Sequence, residues 1–110
     1  HKYTDVLKNV GKADITAHVD FASIGHLANE AGIHVTHPVS QSHFLKSLGI
    51  EYRAKVLQNG VIHKCGAKKG HEKALEIEKD LQRLIGTREM GDLFKAICLY
   101  HGYNLKPAGF

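Results

Sequence analysis

Leu93-Phe94-Lys95-Ala96-Ile97-Cys98-Leu99-Tyr100 is a nearly continuous apolar run, interrupted by one lysine. Such a run is expected of a strand covered on both faces. Its counterpart upstream is Ile33-His34-Val35-Thr36-His37-Pro38-Val39. Alternation there puts Ile33, Val35 and Val39 on one face and His34 and Thr36 on the other, and Pro38 places the strand's end near an edge or a terminus. Helical patterns separate the two runs, and strands alternating with helices fit an α/β layer. Two strands flanking a helical insertion cannot close a sheet alone, so the pattern predicts a partner segment beyond these residues.

Between and before the strands the helical spacing is clear in most places. Asp20 precedes Phe21, Ile24, Leu27, Ala28 and Ala31, which predicts a helix from about Asp20 to Ala31, stopped at Gly32. Ser40 is the expected cap of the next helix, with Phe44, Leu45 and Leu48 on one face and Gly49 as its stop. A short helix is expected over Glu51 to Gln58, with Tyr52, Val56 and Leu57 inward and Asn59-Gly60 ending it. Val61 to Gly70 mixes Gly, Lys and His and is expected to be a loop. His71 to Ile85 carries the stripe Ala74, Ile77, Leu81, Leu84 and Ile85, with Glu76–Lys79 and Asp80–Arg83 at ion-pair spacing and Gly86 closing the helix. His1 to Lys12 and His101 to Phe110 are expected to be irregular, and Ile15 to Val19 a short extended piece. No internal repeat or domain boundary is visible.

The chain has 110 residues, 43% apolar and 24% charged, the balance of an ordinary soluble globular protein. It starts at His1 and its one methionine is Met90, so a piece of a longer product is expected. The net charge of +4 gathers around Lys64, Lys68, Lys69 and Lys73, which permits a phosphate partner without requiring one. Cys65 and Cys98 suggest no disulfide framework, and Cys98 reads as a small buried hydrophobe in a reducing compartment. No apolar stretch approaches the roughly 20 residues that span a bilayer, so no membrane insertion is expected, and no signal peptide is visible.

Nine histidines invite a metal reading. His34 and His37 fall on opposite strand faces, however, and neither HExxH nor CxxC spacing occurs, so no metal is expected. Gly66-Ala67-Lys68-Lys69-Gly70 lacks the Gly-Lys-Ser/Thr ending of a phosphate loop, and no GxGxxG occurs. The polar groups worth weighing sit in two runs, Asp14-Ile15-Thr16-Ala17-His18-Val19-Asp20-Phe21, which opens a helix, and Met90-Gly91-Asp92-Leu93-Phe94-Lys95, expected to open a strand. Asp20 suits first a helix N-cap, accepting from the N–H groups of Ala22 or Ser23, and second a carboxylate at an active-site rim; the two roles are compatible. His18 suits a general base or a polar niche. Gln41 can point its amide into a cleft or satisfy a loop backbone. Lys95 can snorkel outward from an apolar strand or pair with a carboxylate of a further segment.

The same runs resemble one enzyme family. HKYTDVLKNVGKADITAHVDF (His1–Phe21) is similar to H-x-Y-x-D-P-L…G-x-A-D-[LI]-T-A-H-V-D-F of the MidA-like S-adenosyl-L-methionine (SAM)-dependent methyltransferases. VSQSHFLKSLGIEYRA (Val39–Ala54) resembles T-Q-x-x-F-L-x-x-L-G-I-x-x-R-A, REMGDLFKAICL (Arg88–Leu99) resembles M-G-x-L-F-K-x-L-A-L, and KPAGF (Lys106–Phe110) resembles P-P-G-F. Val6 departs where the pattern has Pro, and Ser40 where it has Thr.

The resemblance implies the C-terminal part (1–110) of a Rossmann-like methyltransferase domain, with the glycine-rich SAM loop and the ribose-holding acid upstream. The two apolar runs would be the last strands of that sheet, flanking a helical insertion. It implies a protein substrate, methylated on arginine; the mitochondrial branch of the family is associated with a respiratory complex I subunit and with assembly of that complex. The compartment would be the cytoplasm for a bacterial member and the mitochondrial matrix for a eukaryotic one. Asp20 and His18 are the candidate catalytic residues and Gln41 and Lys95 the candidate substrate-binding ones; no SAM contact is assigned within the chain, and a homodimer is compatible with the reading. Two rivals stay open: a non-catalytic assembly factor of the same fold, and a small basic nucleic-acid-binding module, the latter weakened because no aromatics interleave with the lysines.

Overall fold

The computed structural model describes residues 5, 7–8, 10–12, 17–102 and 106–110. In chain order it contains α1 (Phe21–Glu30), β1 (His34–Val35), β2 (Val39–Ser40), α2 (Gln41–Ser47), α3 (Ile50–Cys65), α4 (Ala67–Ile85), α5 (Met90–Leu93), β3 (Lys95–Ala96) and β4 (Leu99–Tyr100). Ile15 and Thr16, two of the five residues of the expected short extended piece, lie outside the described residues, as do parts of the two irregular termini.

The two apolar runs find each other across the helices between them. β1 pairs antiparallel with β4 (His34 opposite Tyr100, Val35 opposite Leu99), and β2 with β3 (Val39 opposite Ala96, Ser40 opposite Lys95). Three residues, Thr36 to Pro38, therefore face two, Ile97 and Cys98, which is the spacing of a bulge. Pro38 has no N–H to give a ladder and sits inside the bulge, where none is needed. Thr36 keeps the ends in register: its N–H donates to the Cys98 carbonyl (3.0 Å), and its hydroxyl accepts the Cys98 N–H (3.0 Å). Each expected strand is thus two short strands. Cys98 is half-buried, and Lys95 and Leu99 are exposed, so the run is not covered on both faces by the described residues. Among those residues each strand has one partner.

α1 and α2 follow the sequence reading closely. The Asp20 carboxylate caps α1, and the Ser40 hydroxyl caps α2 by accepting the His43 N–H at 3.1 Å. Removing that acceptor leaves an orphan donor, so Ser40→Ala is expected to cost about 1 kcal/mol in denaturant unfolding of the full-length protein, while Ser40→Thr, the residue of the family pattern, keeps it. Gly49 takes φ +82° between α2 and α3, a conformation that favours glycine.

The longest segment departs from expectation. α3 does not stop at Asn59-Gly60 but continues to Cys65, and the expected loop from Val61 to Gly70 is helical on both sides of a turn at Gly66 (φ +75°). α3 and α4 form an antiparallel hairpin. The α3 side facing α4 carries Ala54, Gln58 and Val61, whereas Tyr52, Val56 and Leu57, expected inward, are exposed. Small residues set the approach: a Cβ at Gly70 would lie 2.6 Å from the Cα of Ile62. The core, at the base of the hairpin, is Ala54, Leu81 and Ile85, with Leu45, Ile50, Ile77 and Leu84 packed around it. Among the described residues the one ion pair is His26–Glu30 on α1, so the expected Glu76–Lys79 and Asp80–Arg83 pairs are not formed.

A polar clamp sits halfway along the hairpin. Gln58 donates to one Glu78 carboxylate oxygen (3.0 Å), and Gln82 donates to the other (2.9 Å). These bonds, that from Gln82 first, hold the Glu78 carboxyl below its usual range, helped by Lys55. A depressed folded pKa means that the unfolded chain binds the proton first. The contribution is therefore complete above the ordinary glutamate pKa and is lost as pH falls through the lowered folded value. Thermal melts of the full-length protein taken from about pH 6 to about pH 3 should show a steeper loss for the parent than for Glu78→Gln.

Candidate functional site

The four candidate residues fall into two groups. The first stands ahead of α1. Asp20 is exposed and accepts from Ser23 twice, from its N–H at 3.0 Å and from its hydroxyl at 2.7 Å. The Ser23 hydroxyl first, and then its N–H, lower the Asp20 pKa from the ordinary carboxylate value. Asp20 is thus both the helix cap and an ionised carboxylate facing solvent. Its oxygens keep further lone pairs for a cationic ligand. His18 lies two residues earlier in the exposed, non-helical approach to α1. The Ser23 N–H is a partner that the sequence names for the cap; its hydroxyl is one that the sequence does not name, although Asp20 and Ser23 stand three apart at a helix start, the spacing at which capping side chains meet. α1 packs on β1, where His34 stacks on Tyr100 with ring centroids 5.3 Å apart.

The second group gathers where β2 meets α2. Gln41 is half-buried; its N–H donates to the Phe94 carbonyl (2.9 Å), and its side-chain amide donates to the Leu84 carbonyl (2.8 Å). Leu84 is in the last turn of α4, where carbonyls lack helical partners. Gln41 therefore ties the start of α2 to the end of the hairpin and to the apolar run. Lys95, one residue beyond Phe94, pairs with Ser40 in the ladder, and its ammonium donates to the Asp92 carbonyl (2.7 Å) at the end of α5.

MGDLFK does not open directly into a strand, as expected; Met90–Leu93 is one helical turn, and the strand starts at Lys95. Gly91 explains the turn. Its N–H donates to the Gly86 carbonyl (3.0 Å), and it is buried against the end of α4. At the chain's other end of the motif series, a Cβ at Gly109 would lie 2.6 Å from the Phe44 ring, and Phe110 packs on Phe44 with centroids 5.1 Å apart. KPAGF thus docks its last residues on α2.

A SAM site needs a strand, a glycine-bearing turn and a helix whose N-terminus meets the ligand. Among the described residues the strand that runs straight into a helix is β2, and the junction is Ser40-Gln41, without glycine. The glycines at positive φ within 21–93 follow or join helices: Gly32, Gly49 and Gly66. These residues do not fit the cofactor. Among the described residues no three of His, Cys, Asp and Glu gather as metal ligands, and no helix is long and apolar enough to cross a membrane.

Comparison with known proteins agrees with the motif pattern. A family model described as a putative S-adenosyl-L-methionine-dependent methyltransferase matches residues 1–39. The chain is 36% identical over 100 residues to "Protein arginine methyltransferase NDUFAF7 homolog, mitochondrial" of Caenorhabditis elegans, an alignment covering 91% of this chain and 21% of that protein. It is 32% identical over 101 residues to "Protein arginine methyltransferase NDUFAF7, mitochondrial" of Homo sapiens, covering 90% of this chain and 21% of that protein. To the Xenopus tropicalis protein of that name it is 49% identical over 57 residues, covering 52% of this chain and 13% of that protein. The chain therefore spans about a fifth of the length of relatives that match along most of it (21%). Motifs, alignment and mixed helix–strand architecture agree: the chain belongs to the MidA-like family of SAM-dependent methyltransferases.

Proposed function

We propose that this chain is the C-terminal part of a longer SAM-dependent protein-arginine methyltransferase, acting on a subunit like that of respiratory complex I and, in a eukaryote, in the mitochondrial matrix. One observation carries the reading. The two apolar runs pair antiparallel across a helical insertion, while each strand keeps one partner among the described residues. That arrangement suits the closing strands of a larger sheet, and the names of the relatives supply the arginine and the compartment. Because the described residues do not fit SAM, the cofactor is proposed to lie upstream, where it supplies the methyl group.

The chain's part is then on the substrate side. A guanidinium is planar, permanently charged and suited to a carboxylate. Asp20, held ionised by Ser23, is proposed to orient it. His18 is proposed as the base that takes the proton released when the guanidinium nitrogen gains a methyl group. Gln41 and Lys95 are proposed to line the substrate's approach from β2 and β3. Asn in place of Asp20 keeps a cap acceptor and loses the charge. In the full-length protein, Asp20→Asn is expected to lower transfer of labelled methyl from SAM to arginine by about 100-fold while leaving the melting temperature nearly unchanged. Activity within twofold of the parent would remove Asp20 from the site. Absence of transfer by the parent with every candidate protein would favour the non-catalytic assembly factor.

A further inference from the structure

The tip of the α3–α4 hairpin carries most of the chain's net positive charge, and nothing in the methyltransferase reading uses it. Residues 63–73 hold Lys64, Lys68, Lys69 and Lys73 against Glu72, all exposed. That leaves eleven basic and ten acidic residues for the rest of the chain, from totals of fifteen and eleven. Among the described residues no carboxylate pairs with these lysines; the one ion pair there is on α1.

Folding does not account for where two of them stand. Lys68 and Lys69 occupy the first turn of α4, which contains no acidic residue and whose N-cap, Gly66, brings no capping side chain. The N-terminal end of a helix is its positive pole, so lysines there oppose the helix. His63 and Lys64 close α3 at its negative pole, where cations are favoured, and they add to the same cluster. The arm that presents the cluster is stiff. Ala67 stands fourteen residues before the core residue Leu81, about 21 Å along the helix axis. Between them the Gly70–Ile62 approach and the Gln58–Glu78–Gln82 clamp fix the two helices together.

We propose that this tip is a docking surface for an acidic protein segment, one rich in aspartate and glutamate carboxylates. Charge complementarity selects an anionic partner. Residues 63–73 contain no Phe, Tyr or Trp, the larger rings of the stacking platform that single-stranded nucleic acid uses, so a protein partner is favoured. The lysines stay in a position unfavourable to the isolated helix because the partner's carboxylates compensate them.

The test uses the full-length protein carrying this chain and, as probe, a fluorescein-labelled peptide of about twelve alternating Glu and Ala residues. At low ionic strength the peptide should bind, and the triple variant Lys64→Glu, Lys68→Glu, Lys69→Glu should weaken binding at least about tenfold. The triple variant Lys46→Glu, Lys79→Glu, Lys106→Glu changes the net charge equally, away from the tip, and should leave binding within about twofold of the parent. Lys68→Glu with Lys69→Glu should also raise the melting temperature, since acids suit the first turn. If the tip triple variant fails to fold, the same three positions changed to Gln decide the matter by the same loss of binding. Failure of the parent to bind the peptide, equal losses from both triple variants, or an oligothymidylate of equal charge binding more tightly than the peptide would each overturn the proposal.

Discussion

Gly91→Ala is expected to destabilise the protein by about 3 kcal/mol, whereas Gly25→Ala is expected to stabilise it by up to about 1 kcal/mol. The substitution is the same, and neither glycine has a positive φ, so backbone conformation does not separate the two. The surroundings do. A Cβ at Gly91 would lie 2.5 Å from the Ile85 carbonyl carbon and 2.7 Å from the Gly86 carbonyl oxygen, both main-chain atoms at the end of α4. Main chain cannot swing aside as a side chain can, so α5 must lift off α4, breaking the Gly91-to-Gly86 hydrogen bond and disturbing the Gln41 tie to Leu84. A Cβ at Gly25, within α1, meets nothing within 4 Å. Alanine there lowers the entropy of the unfolded chain and suits the helix. Denaturant unfolding of the two variants of the full-length protein measures both signs. A neutral Gly91→Ala would mean that the approach of α5 to α4 is looser than the structure shows.

The contrast explains what was legible in the sequence. Local signals were read correctly where they are local in cause: Asp20 and Ser40 as caps, Gly32 and Gly49 as stops, and the α4 stripe. Asn59-Gly60 was read as a stop because glycine opposes a helix by about 1 kcal/mol, yet α3 runs through it. Packing of Ala54, Gln58 and Val61 against α4 outweighs that local cost, and only the hairpin reveals it. The bulge opposite Ile97 and Cys98 was hidden in the same way, because an apolar run states burial but not register. At the candidate site the sequence singles out Asp20, with the Ser23 N–H as a partner, and Gln41, but neither the Ser23 hydroxyl nor the Leu84 carbonyl. A backbone carbonyl 43 residues away leaves no mark in composition or spacing.

Purified by itself, the 110-residue chain is expected to transfer no methyl group above background from labelled SAM, to bind a dye that reports exposed apolar surface, and to unfold without a cooperative transition. The reason is burial. Its radius of gyration is 19.5 Å, against about 13 Å for a compact domain of this length. The buried apolar residues among those described are Ala28, Ala54, Leu81 and Ile85. Large apolar side chains stand open beside the ribbon, before α1 and on α1: Leu93 at 72% exposure, Val19 at 61% and Leu27 at 63%. These four apolar side chains do not offset the conformational entropy of ordering the chain. Under the proposed division of the sheet those side chains and the free strand edges meet the upstream half, which also holds SAM. Supplying that half in trans should therefore restore, together, a cooperative melt, loss of dye binding and methyl transfer. Turnover by the isolated chain, or a sharp monomeric melt without the other half, would show that the sheet is not divided at this point.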